Sequence, residues 1–75
     1  MTYNGTFEDN LPHGKGIEKE RSGFKYIGGF KDGKRDGFAY MMNQKGLVRN
    51  GEWKDGVRIK WIGEVFHPKD ETINQ

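Results

Sequence analysis

The stretch YIGGFKDG, residues 26–33, sets a glycine between two aromatic residues and closes on Asp32-Gly33. A glycine inside a strand weakens it unless another group must come close to its backbone. The stretch is one of three. YNGTFEDN begins at Tyr3 and RNGEWKDG at Arg49, a constant step of 23 residues. In that register Gly5, Gly28 and Gly51 align, as do Phe7, Phe30 and Trp53. Asp9, Asp32 and Asp55 follow, then Asn10, Gly33 and Gly56. The second halves of the first two units repeat too, Gly14 with Gly37 and Gly23 with Gly46. A fixed period of this length denotes stacked supersecondary units, none able to bury its apolar face alone.

Each unit reads as a β-hairpin, because Asp-Gly and Asp-Asn favour the positive φ angles of tight strand-reversing turns. Strands are expected near 2–8, 14–20, 24–31, 37–42, 47–54 and 57–66. No segment carries helical periodicity. Residues 67–75, HPKDETINQ, read as a loose polar tail after a domain spanning 1–66, with units of about 3–25, 26–48 and 49–66. Alternation puts Tyr26, Gly28 and Phe30 on one face. A two-residue turn at Asp32-Gly33 then sets Phe30 opposite Arg35, Gly28 opposite Gly37 and Tyr26 opposite Ala39. Large rings beside glycine and alanine have bare backbone to lie on. The glycine is there to be covered.

Composition narrows the class. Hydrophobic and charged residues each make up 32%, which alone would fit disorder, but aromatics reach 13% and the 12 glycines are regularly placed. A chain of 75 residues holds one domain with a small core. Without cysteine there is no disulfide framework. A net charge of +2 is weaker than the clustered excess of a dedicated nucleic-acid binder, so nucleic acid is not an expected partner. The first residues lack the apolar run of a signal peptide and no stretch reaches membrane-spanning length, so a cytoplasmic setting is expected.

YNGTFEDNLPHGKG and YIGGFKDGKRDGFAY resemble MORN repeats, whose pattern is Tyr-x-Gly-x-aromatic, Asp-Gly, then Gly-x-Gly. The resemblance covers two good units and a third that departs from the pattern. Arg49 stands in place of tyrosine, Asn10 in place of a turn glycine, Ala39 in place of the second Gly of Gly-x-Gly, and Lys60 and Ile62 in place of both. It assigns the structural positions to Tyr3, Gly5, Phe7, Tyr26, Gly28, Phe30, Gly33, Gly37, Gly51, Trp53 and Gly56. It implies an all-β fold, a short array of three stacked hairpins in one twisted antiparallel sheet. It also implies protein interaction, dimerisation or membrane attachment, and no intrinsic catalysis.

The residues agree with that implication. His13 and His67 are far apart in the chain, and the H-x-x-x-H, G-x-x-x-x-G-K-[ST] and G-x-S-x-G patterns are absent. HGKG at 13–16 has no helix after it to cradle a phosphate. Glu18 and Glu20 read as a solvated strand face rather than an acid–base pair. Neither a cofactor nor a metal is expected, and the chain reads as no enzyme.

The lysines around the turns (Lys31 and Lys34 beside Arg35, then Lys54 and Lys60 beside Arg58) read first as solubility and edge protection. The alternative is a basic ridge that meets anionic lipid. Opposite Tyr26 and Phe30, alternation groups Ile27, Phe38, Tyr40 and Met42, continued by Val48, Val57, Ile59 and Trp61. A one-sided sheet should be polar there. Either sheet curvature or the tail covers this face, or it is an interface. On the second reading Ile27, Phe38, Tyr40, Met42 and Trp61 anchor a protein partner, with Arg35 and Arg58 as rim charges. Two open terminal strands would also permit a homodimer.

Overall fold

The computed structural model describes residues 2–66, and the polar tail expected at 67–75 lies outside the described residues. Six strands follow one another: β1 (Thr2–Glu8), β2 (Leu11–Lys19), β3 (Lys25–Lys31), β4 (Lys34–Met42), β5 (Val48–Lys54) and β6 (Val57–Phe66). They form one antiparallel sheet in the order β1-β2-β3-β4-β5-β6, so each strand pairs only with its neighbours in sequence. The three turns Asp9-Asn10, Asp32-Gly33 and Asp55-Gly56 have positive φ at both central residues, from 50° to 87°. This is the mirror-image turn whose twist matches that of the strands it joins. Each later hairpin is also tied to the one before it. The Gly33 N–H donates to the Pro12 carbonyl (2.9 Å) and the Gly56 N–H to the Arg35 carbonyl (2.8 Å).

β2 and β4 begin three residues earlier than expected, because the tight turns let the ladder start at once. Gly14 and Gly37 therefore lie inside strands. With φ of 88° and 89° they sit in β-bulges, and the register shifts between Gly5 and Phe7 and between Gly28 and Phe30. Phe30 does face Arg35, but Gly28 faces Ala39 and Tyr26 faces Met41, not Gly37 and Ala39. Each bulge inserts two extra residues, so which side chains share a face is unchanged.

In the third unit position 60 is lysine, which does not take such a φ cheaply. There the register slips by one residue instead: Trp53 pairs with Arg58, while Glu52 pairs with Lys60 and Gly51 with Trp61. A one-residue slip exchanges the faces. Trp61 consequently turns to the side of Trp53 and Gly51, and Ile62 takes its place on the other side.

A row of small residues runs across the whole sheet: Gly5, Gly16, Gly28, Ala39 and Gly51, ending at Trp61. On one face aromatic rings lie over it. A Cβ at Gly16 would run into the Tyr3 ring, and one at Gly51 would come within 2.9 Å of the Trp53 ring. The rings meet edge to face in the sequence Phe7–Tyr3–Phe30–Tyr26–Trp53–Trp61, with centroid separations of 4.8 to 5.9 Å. Each such contact adds about 0.5–1.5 kcal/mol beyond the area it buries. Tyr26, Phe30, Ala39 and Trp53 form the core, with Tyr3, Met41 and Trp61 packed against them. The aromatic row is the core of a sheet that has no second layer among the described residues.

Candidate interaction surface

Two faces follow from this arrangement. The aromatic face is held together by polar contacts as well as rings. The Tyr26 hydroxyl donates to the Gly29 carbonyl (2.7 Å), and the Tyr3 hydroxyl donates in the same way to Thr6 (2.7 Å). Arg35 lies 4.7 Å above the Tyr26 ring and donates to Glu18 (2.8 Å) and Glu20 (3.0 Å). Burial pulls the Arg35 pKa down, but the hydrogen bonds to Glu18 and Glu20 outweigh it and raise it overall. Arg35 is thus a cross-strand clamp and not a rim charge, and Glu18 is its half-buried partner, not part of a solvated face. Arg58 and Arg49 stack on Trp61, at 4.3 and 4.7 Å. Trp61 and Arg58 therefore leave the expected partner-binding group and belong to the aromatic face.

Burial pushes the Tyr26 phenol up to about 12, with Arg35 pulling the other way. A raised folded-state value means stability is full below the unfolded value near 10 and is lost as pH rises through about 12. Urea melts from pH 9 to 12 should show that loss in the native chain and a flatter profile in Tyr26→Phe. Equal slopes would remove Tyr26 as the cause.

Arg49 occupies the position that tyrosine holds in the first two units, and its Nε is buried with no hydrogen-bond partner. Arg49→Tyr should stabilise the protein by about 1 kcal/mol. Relief of the unpaired nitrogen and a hydroxyl bond to the Glu52 carbonyl contribute, while a lost Arg–Trp stack is offset by a ring–ring contact. A melting temperature raised by roughly 4–8 °C is the expected readout. A lowered one would show that stacking on Trp61 outweighs the unpaired nitrogen.

The opposite face is built from two cross-strand rows. Asn4, Ile17, Ile27, Tyr40, Asn50 and Ile62 stand in register across all six strands. A second row runs from Lys15 through Gly29 on β2–β3 and from Phe38 through Glu52 to Lys60 on β4–β6. Between the rows, the backbone of Gly5, Gly16, Gly28 and Ala39 forms the floor of an open trough of about 600 Å³. A second depression of about 330 Å³ shares Ile27, Tyr40 and Asn50 with it and reaches Met42, Val48 and Phe66. Phe38 is 69% exposed and Tyr40 40%. Gly29 explains the second glycine of YIGG: it keeps the trough wall open beside Lys15, and a Cβ there would strike the Asp36 carbonyl.

Ile27, Phe38, Tyr40 and Met42 are thus brought together on this face, as expected. Val48 shares it but is buried at the edge where it pairs with Met42 and Phe66. Ile17, which alternation also places on this face, stands directly opposite Ile27. Asn50, Ile62 and Phe66 were missed by sequence reasoning, the last two because their side depends on the β6 register shifts. Among the described residues no group of three or more His, Asp or Glu is placed to hold a metal.

The repeated glycine, the aromatic over it and the Asp-led turn have their counterpart in a known repeat. The model of the MORN repeat matches residues 3–23, 26–43 and 50–58. The chain belongs to the MORN repeat family. Alsin of rat and of mouse is 37% identical over 76 residues, which covers 87% of this chain. Human alsin is 35% identical over the same share. The chain spans 5% of the length of these relatives. The gap in the MORN match between 43 and 50 and its end at 58 fall where this chain departs structurally, at the Arg49 position and at the β6 slip. The MORN repeat is a non-catalytic repeat type, a module for membrane or protein interaction.

Proposed function

We propose that the chain is a non-catalytic protein-interaction module that acts by occupancy, with the trough face as its docking surface. One observation carries this reading: a folded sheet whose rings are already packed on one face presents a second apolar face that nothing among the described residues covers. Large exposed apolar patches on soluble domains mark interaction sites, and aromatic and methionine side chains are enriched in interface cores. Phe38, Tyr40 and Met42 supply those types, and with Ile27 they line the trough and the depression that adjoins it.

Binding through this face should end with Phe38→Ser/Tyr40→Ser while circular dichroism stays β-like. Phe7→Ser, on the aromatic face and 59% exposed, serves as the control. Proteins captured by the native chain and by Phe7→Ser, but lost to the double variant, support the trough. Identical capture by all three would place docking elsewhere.

A further inference from the structure

The two kinds of basic residue are sorted by face. Arg35, Arg49 and Arg58 pair with Phe30, Met41 and Trp53 on the aromatic face, and all three guanidinium groups stack on its rings. The strand lysines lie on the other face. Lys15, Lys19 and Lys25 follow from their pairing with Gly29 and with each other, and Lys60 from its pairing with Glu52. Lys31, Lys34 and Lys54 flank the tight turns one residue from Phe30, Arg35 and Trp53, which puts them on the lysine side by alternation. The chemistry fits the sorting. A guanidinium is planar and weakly hydrated, suited to stacking within the core, whereas an ammonium is a strongly hydrated point charge that stands off the surface.

The carboxylates on the lysine side are few. Glu52 pairs with Lys60 (3.6 Å), Asp36 sits in a bulge and accepts the Asp55 N–H, and Glu8 stands at the end of β1 near His13. Glu64 lies on β6 between Ile62 and Phe66, away from β2 and β3. Lys15, Lys19 and Lys25 have no ion pair among the described residues. An apolar trough is therefore bordered on its β2–β3 side by unneutralised positive charge.

We infer that the trough takes an acidic amphipathic segment of another protein, its large apolar side chains in the depressions and its carboxylates against Lys15, Lys19 and Lys25. This rests on the reading of the trough as the docking face and adds the chemistry of the occupant. Complementary charge selects partners and speeds their encounter more than it adds affinity. The segment is favoured over an anionic membrane by shape. The apolar surface lies in depressions floored by backbone between two walls of side chains, which individual side chains enter and a planar headgroup layer bridges. From β1 to β5 the trough crosses four strand spacings, about 19 Å, a length that a short segment covers.

The test is selection from a random linear peptide library on the immobilised protein, followed by fluorescence anisotropy of the enriched peptides. Peptides that join Asp or Glu to Leu, Ile or Phe are expected. Their affinity should fall about tenfold or more in Lys15→Glu/Lys19→Glu/Lys25→Glu, and less in the matching Gln variant. Phe38→Ser/Tyr40→Ser should abolish it. Enriched apolar peptides without acidic excess, bound equally by the Glu variant, would overturn the charge inference and leave the docking face standing. Peptides indifferent to Phe38→Ser/Tyr40→Ser would overturn both. Salt-sensitive, lysine-dependent capture of phosphatidylserine-containing vesicles, with no peptide enriched, would replace the protein segment by a lipid surface.

Discussion

Gly28→Ala should cost the protein its fold, or leave it melting far below the native chain. The new Cβ would overlap the Ala39 side chain and come within 2.7 Å of the Phe38 carbonyl. Both atoms belong to the neighbouring strand, so nothing flexible can yield. Overpacking a tight site costs about 1–3 kcal/mol and more where backbone must move. A chain of this size has on the order of 4–11 kcal/mol in hand. We expect a loss above about 3 kcal/mol in urea melts. Ala39→Gly in the same chain should return part of that loss, because it removes the methyl group and leaves the position-39 Cα at 2.6 Å and the Phe38 carbonyl. A Gly28→Ala variant within a few degrees of the native melting temperature would mean that the strands can separate, and that the row of small residues is not needed for their approach.

This result bears on why so much of the fold was legible. A glycine that recurs under an aromatic at a fixed period is a backbone requirement written as a residue type, and the Asp-led turns are another. Together they fixed the hairpins, their order and the face that carries Tyr26 and Phe30. The two-residue bulges at Gly14 and Gly37 escaped notice, yet they left the faces intact because an even insertion preserves alternation. β6 has its expected bounds, but Trp61 was given the wrong face for the same reason in reverse. Lys60 stands where the bulge glycine belongs, the insertion becomes odd, and Trp61 crosses the sheet. Whether an insertion is odd or even is set by a single φ angle, which no alternating pattern of apolar residues encodes.

The same limit separates the charged residues that were read well from those that were not. Arg35 lies two residues from a turn and looks like a rim charge in sequence. It becomes a clamp only because β2 brings Glu18 opposite Tyr26, the ring on which the guanidinium lies. That arrangement joins two hairpins, whereas the sequence pattern describes one. The centre of the trough face was legible, at Ile27, Phe38, Tyr40 and Met42, because those residues sit within one hairpin. Its outer members belong to the flanking hairpins and appear only when the register across them is known.

Trp53→Ala should have the other large effect, and its distribution along the chain matters more than its size. Trp53 is 4% exposed, lies over Gly51 and touches Tyr26 on one side and Trp61 on the other. Truncating a buried tryptophan costs about 3–5 kcal/mol. In an array where each unit touches only its neighbours, stability is a sum of units and interfaces, and a lesion acts first on the interface it removes. Among the described residues β6 pairs only with β5, and Trp61 is its one hydrophobic side chain packed against the core. Amide hydrogen exchange in Trp53→Ala should therefore show β5 and β6 losing protection first, while β1 to β3 keep most of theirs, held by Tyr3, Phe30 and the Arg35 clamp. Trp53→Phe, which keeps a ring over Gly51, should hold β6 in place. Equal loss of protection across all six strands would mean that the aromatic row melts as one cooperative unit. The trough could then not survive without the third hairpin, even though most of its lining comes from the first two.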